Sequence, residues 1–155
     1  MSTRGGEVAC AMNAFKGLRD SSLEVVTRAT GEVASMGVVL FLAGERRLAT
    51  PEATFLLHPV RLVLPGCSVE VDAKALRRMR ARFQRSSSCP TGRLEELDHA
   101  TARVEREDDA VQAILEERTS LTRGQITKLV YREAPVDVSY ALAAGIVHEL
   151  VSPVV

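Results

Sequence analysis

Gly31-Glu32-Val33-Ala34-Ser35-Met36-Gly37 leads into the apolar run Val38-Val39-Leu40-Phe41-Leu42-Ala43, and Phe55-Leu56-Leu57-His58-Pro59 follows a short polar interval. Val25-Val26-Thr27-Arg28-Ala29-Thr30, β-branched and apolar, reads as a strand. Met36 to Ala43 reads as a short buried helix, so Ser35 falls at a strand-to-helix junction. A serine there is exposed beside the free N–H groups of a helix N-terminus, which hold an anion. Ala34 and Gly37 are small neighbours that let a carbonyl approach. His58 ends the next apolar run, Ala53 to Leu57, and returns to the same edge of a sheet.

Outward from this stretch the elements alternate. Val8 to Leu18 reads as a helix with Val8, Met12, Phe15 and Leu18 on one face. Glu45-Arg46-Arg47 reads as a polar turn, and Thr50-Pro51-Glu52-Ala53 as a second turn before the strand that carries His58. The alternation of strand and helix predicts an α/β architecture. Lys74 to Arg85 carries six cations and no acid, and reads as a solvated helix face. Ser86 to Gly92 reads as a loop. Arg93 to Arg118 reads as one long helix, with Leu94, Leu97, Thr101, Val104, Val111 and Leu115 near helical spacing and Glu107-Asp108-Asp109 interrupting the stripe. So narrow an apolar face predicts packing against another subunit. Leu129 to Tyr131 reads as a last strand, and Asp137 or Ser139 as the cap of a final helix that ends at Gly145.

Composition sets the bounds. A chain of 155 residues suits one domain with a real core. Twenty basic and twenty acidic residues cancel, which argues against a global attraction to nucleic acid or membrane. Cys10, Cys67 and Cys89 are odd in number and lack metal-ligand spacing, so they read as reduced thiols of a cytosolic protein. No apolar run reaches membrane-spanning length, and Arg4-Gly5-Gly6-Glu7 breaks any leader-peptide pattern.

The segment Gly31 to Gly37, then Ala43-Gly44, Ala49-Thr50-Pro51-Glu52-Ala53 and His58-Pro59, resembles the proteolytic subunit of the ATP-dependent Clp protease. Gly5-Gly6-Glu7-Val8 is similar to that family's Gly-Gly-Ser-Val loop. Tyr140-Ala141-Leu142-Ala143-Ala144-Gly145-Ile146-Val147 is similar to its closing motif. The resemblance covers most of the chain except roughly residues 61–95, which read as an insertion before the long helix. It implies a Clp protease/crotonase-like fold of repeated β-β-α units in a single domain, 1–155, with a protruding handle helix. The family's first strands, which precede the Gly-Gly loop, are missing from the expected pattern.

The resemblance also implies roles. Ser35 is the nucleophile and His58 its general base. The N–H of Met36 and one from the Gly5-Gly6 pair form the oxyanion hole. Counting back from Gly145 without gaps puts Glu133 at the family's catalytic aspartate, with Asp137 as the alternative acid. The implied protein is a cytoplasmic serine endopeptidase, a homo-oligomeric or mixed ring that degrades unfolded polypeptides delivered by a Clp-type ATPase. No cofactor is expected in this subunit, since ATP belongs to the partner, and no metal or nucleic acid is expected. Three alternatives stay open: a catalytically inactive structural subunit, a phage-type processing peptidase, and a crotonase-type acyl-CoA enzyme. The Ser-Met-Gly turn disfavours the last. Val33, where α/β-hydrolases carry glycine, separates the serine turn from their Gly-x-Ser-x-Gly elbow. His99 and His148 stand in charged or terminal contexts and read as surface residues.

Overall fold

Residues 26–56 are built as two strands, one helix and two more strands, and the helix completes both crossovers at once. The computed structural model describes residues 1–64, 69–85 and 91–153. Cys67, Cys89 and most of the expected Ser86–Gly92 loop lie outside the described residues. The chain divides into two compact units, residues 1–58 with 111–155, and residues 59–110. The expected 61–95 insertion falls in the second.

In the first unit, α1 (Val8–Arg19) is followed by β1 (Val26–Ala29), β2 (Glu32–Ala34), α2 (Met36–Leu42), β3 (Arg46–Ala49) and β4 (Thr54–Leu56). β1 pairs in parallel with β3, and β2 in parallel with β4. Parallel partners need a crossover, and α2 serves for both pairs. It is buried on nearly every side, through Met36, Gly37, Val38, Val39, Phe41 and Leu42. This explains why it is apolar all round rather than amphipathic. Phe41 meets Phe55 of β4 with ring centroids 5.2 Å apart.

Two expectations fail here. Glu45-Arg46-Arg47 is not a turn, because Arg46 and Arg47 open β3. The Arg47 side chain is buried, 4% exposed, and its guanidinium donates to the carbonyls of Ile146, Gly44, Arg118 and Gly145 at 2.8–3.2 Å. Polarity alone reads such a residue as a turn; the converging carbonyls are what let its charge be buried in a strand. Leu129 to Tyr131 is helical, inside α5 (Arg123–Arg132). Thr122 and Gln125 form a reciprocal capping box that starts this helix, and Ile126, Leu129 and Val130 are its buried face.

The final turn agrees with expectation. β7 (Val136–Asp137) pairs antiparallel with β4, and Asp137 caps α6 (Val138–Ala143) by accepting from Tyr140 N–H at 2.8 Å. β8 (Glu149–Leu150) then pairs in parallel with β3. The sheets thus have strand orders β1-β3-β8 and β2-β4-β7.

The second unit holds β5 (Leu62–Val63) and β6 (Glu70–Val71), which pair antiparallel, then α3 (Ala73–Gln84) and the first part of α4 (Thr91–Arg118). At 28 residues α4 is the expected long helix, starting two residues earlier than its periodicity suggests. Asp108, expected to break its stripe, is itself buried on it and accepts Val60 N–H at 2.7 Å. The cationic α3 is only partly a solvated face. Arg77 pairs with Glu105 and Arg80 with Asp98 on α4, while Lys74, Arg78, Arg82 and Arg85 are exposed.

Candidate active site

Ser35 is one of two non-glycine residues with positive φ among the described residues, at φ 55 and ψ −130. A side chain there is strained, and such strain persists only where surrounding contacts fix it. The contacts are visible. β2 ends at Ala34, Ser35 N–H donates to Leu56 O of β4 at 2.7 Å, and α2 begins at Met36. The serine is half-buried and does not cap α2, since its side chain makes no cap bond. Its hydroxyl is therefore not consumed by the helix it precedes.

The N-terminal segment closes over this turn. Thr3 bridges Val33 in parallel, donating to Glu32 O and accepting from Ala34 N–H, both at 2.8 Å. Gly5 then lies directly on the serine. A Cβ at Gly5 would fall 2.7 Å from Ser35 Cβ and 2.8 Å from Ala34 O, and its φ of +91 also demands glycine. The Gly5 N–H is engaged by Thr3 Oγ1 at 3.1 Å. The Gly6 N–H has no partner among the described residues, and Met36, as the first residue of α2, has none within its helix. The two glycines differ accordingly: Gly5 permits the close approach, and Gly6 keeps a free donor. Thr3 was not singled out from sequence. The only signal for it is a hydroxyl residue two positions ahead of the glycine pair.

His58 is half-buried, two residues past the end of β4, on the same carboxyl edge of the β2–β4 pair as Ser35. The carboxyl ends of parallel strands are where α/β sheets build their sites. The two candidate acids stand on different elements, Glu133 at the end of α5 and Asp137 at the end of β7. Glu133 stands at the left-handed C-cap of α5, three residues before β7. Asp137 lies opposite Thr54, the first residue of β4, and Val136 opposite Phe55. The Asp137 carboxylate also caps α6. Glu133 is exposed and is the other residue with positive φ, 50, where α5 turns into β7.

Comparison with known proteins gives this arrangement a family. The family model described as Clp protease matches residues 1–97, which include the Gly-Gly loop, Ser35 and His58. The chain belongs to the Clp protease family. Among curated proteins, proteolytic subunit 2 of the ATP-dependent Clp protease of Gluconobacter oxydans (strain 621H) is 36% identical over 81 residues. That match covers 50% of this chain and 36% of the relative's length. Among solved structures, a mutant ClpP1 from Listeria monocytogenes superimposes with a TM-score of 0.70 at 21% identity, over 99% of this chain and 71% of that one. The fold of this Clp-family chain is therefore the expected α/β fold with a long helix. Among the described residues no helix is long and apolar enough to cross a membrane.

Proposed function

We propose that this Clp-family chain is a serine endopeptidase of the proteolytic-subunit type. The observation that carries the reading is the strained backbone of Ser35 at a strand-to-helix turn, covered by Gly5 and flanked by the unpaired N–H groups of Gly6 and Met36. Ser35 Oγ attacks a peptide carbonyl as His58 takes its proton. The oxyanion that forms accepts from Gly6 and Met36 N–H, and each such donor lowers the barrier by about 3 kcal/mol. His58 returns the proton to the leaving amine, and the C–N bond breaks to leave an acyl-enzyme. Water then attacks that ester with His58 again as base, releasing the acid and restoring Ser35. Glu133 orients the imidazole and stabilises its protonated form.

In this reading the substrates are unfolded polypeptides, the chain works in an oligomeric ring in the cytoplasm, and a Clp-type ATPase delivers substrate. ATP is consumed by that partner, and this subunit carries no cofactor. Hydrolysis of a short fluorogenic peptide without ATP tests the chemistry. Ser35→Ala is expected to lower kcat by about 10⁴-fold or more, to background. Hydrolysis that survives the substitution would refute the assignment.

A further inference from the structure

We propose that Glu7 sets the specificity of this site, selecting a lysine or arginine at the substrate residue whose carbonyl Ser35 attacks. This rests on the peptidase reading above. A groove of about 280 Å³ runs between α1 and α2, lined among others by Gly6, Glu7, Cys10, Ala14, Met36 and Leu40. It opens beside Gly6 and Met36, the two oxyanion donors, so a side chain next to the attacked carbonyl has direct access to it. β2 has the Thr3 segment on one edge and β4, leading to His58, on the other. The leaving amine must lie on the His58 side to receive its proton. The groove, on the Thr3 side, is left for the acyl half of the substrate.

The lining fits a long cationic side chain. Ala14, Met36 and Leu40 offer an aliphatic wall for a methylene stem. Glu7 is the only charged residue of the lining among the described residues. It stands at the N-cap of α1, yet its carboxylate makes no cap bond. Instead it accepts from Cys10 Sγ, across 3.3 Å. A thiol is a weak donor, and a substrate ammonium or guanidinium replaces it with a charge-assisted bond.

Three fluorogenic peptides identical except for lysine, norleucine or glutamate before the scissile bond give the test. The expected order of kcat/KM is lysine, norleucine, glutamate, with at least about a tenfold step from lysine to norleucine that shrinks in high salt. Glu7→Gln brings the lysine peptide down to the norleucine level. No lysine preference, or one that Glu7→Gln leaves intact, overturns the proposal. Absence of hydrolysis together with absence of fluorophosphonate labelling at Ser35 would instead overturn the peptidase reading. The groove is then read independently. In a Cys67→Ser/Cys89→Ser chain, Cys10 should react several-fold faster with a cationic methanethiosulfonate than with an anionic one, and Glu7→Gln should abolish the difference. Equal rates in the parent chain overturn the groove's selectivity whatever the catalytic result.

Discussion

Ser35 carries a backbone conformation that its sequence context does not announce. Val33 stands where the α/β-hydrolase elbow has glycine, yet the turn is sharp and φ is positive. The strain is held by neighbours distant in sequence, Leu56 and Gly5, and for that reason it could not be read locally. What was legible was the motif order, with the glycine pair first, then Ser35 at the strand-to-helix turn, then His58 after the next strand. Gly5→Ala is expected to destabilise the chain by about 1–3 kcal/mol, because both its φ and its contact with Ser35 exclude a Cβ. A urea titration measures this, and an unchanged midpoint would contradict the close approach. Single substitutions also test the choice of acid. Glu133→Gln is expected to lower kcat by about 10²–10⁴-fold. Asp137→Ala should leave kcat close to that of the parent and cost about 1 kcal/mol of stability through the lost cap. The opposite pattern would move the acid to Asp137.

β3 and the helix ends around it show how a charged element is built into a core. The Arg47 guanidinium gathers carbonyls from the carboxyl ends of α2, α4 and α6, where helix dipoles concentrate negative potential. Burial, with Arg118 and Arg19 nearby, lowers its pKa to about 10, and it stays charged at neutral pH. Arg47→Met removes the donor from those carbonyls, of which only Gly44 O keeps another side-chain partner among the described residues, in Arg118, and is expected to cost about 3 kcal/mol, read as a shift in the urea midpoint. Arg47→Lys should rescue little, because an ammonium cannot span the fork. A midpoint within experimental error of the parent would show that water replaces the guanidinium. At the β3–β8 junction, His148 Nδ1 accepts from Arg47 N–H at 3.4 Å. Partial burial and the charges of Arg47 and Arg118 lower its pKa from 6.5. The unfolded chain therefore takes up the proton first as pH falls, and stability declines below about pH 6.5. His148→Gln should flatten that part of the Tm–pH curve. Element types were readable where one face is apolar, as in α1 and α6, or where a short run is apolar throughout, as in α2. They were misread where tertiary contacts override polarity, as at Arg47, or where a capping box turns a β-branched run into helix, as at Thr122 to Tyr131.

Over the whole molecule, the sheets β1-β3-β8 and β2-β4-β7 are joined through α2, and Ser35 and His58 both follow the carboxyl ends of the parallel pair β2 and β4. The α/β class and the long helix were legible from strand–helix alternation and helical spacing. The division into two units was not, because residues 59–110 carry their own small hairpin and ion pairs that only the fold reveals. Under the proposed function, Ser35 is a nucleophile activated by His58. The most direct measurement is intact-mass spectrometry of the chain after reaction with a fluorophosphonate, with the rate and the modified residue determined for the parent and for His58→Ala. A single adduct on Ser35, formed at least about 100-fold more slowly without the imidazole, is the predicted result. An adduct absent from Ser35 in the parent chain, or one formed at the same rate without His58, would contradict it.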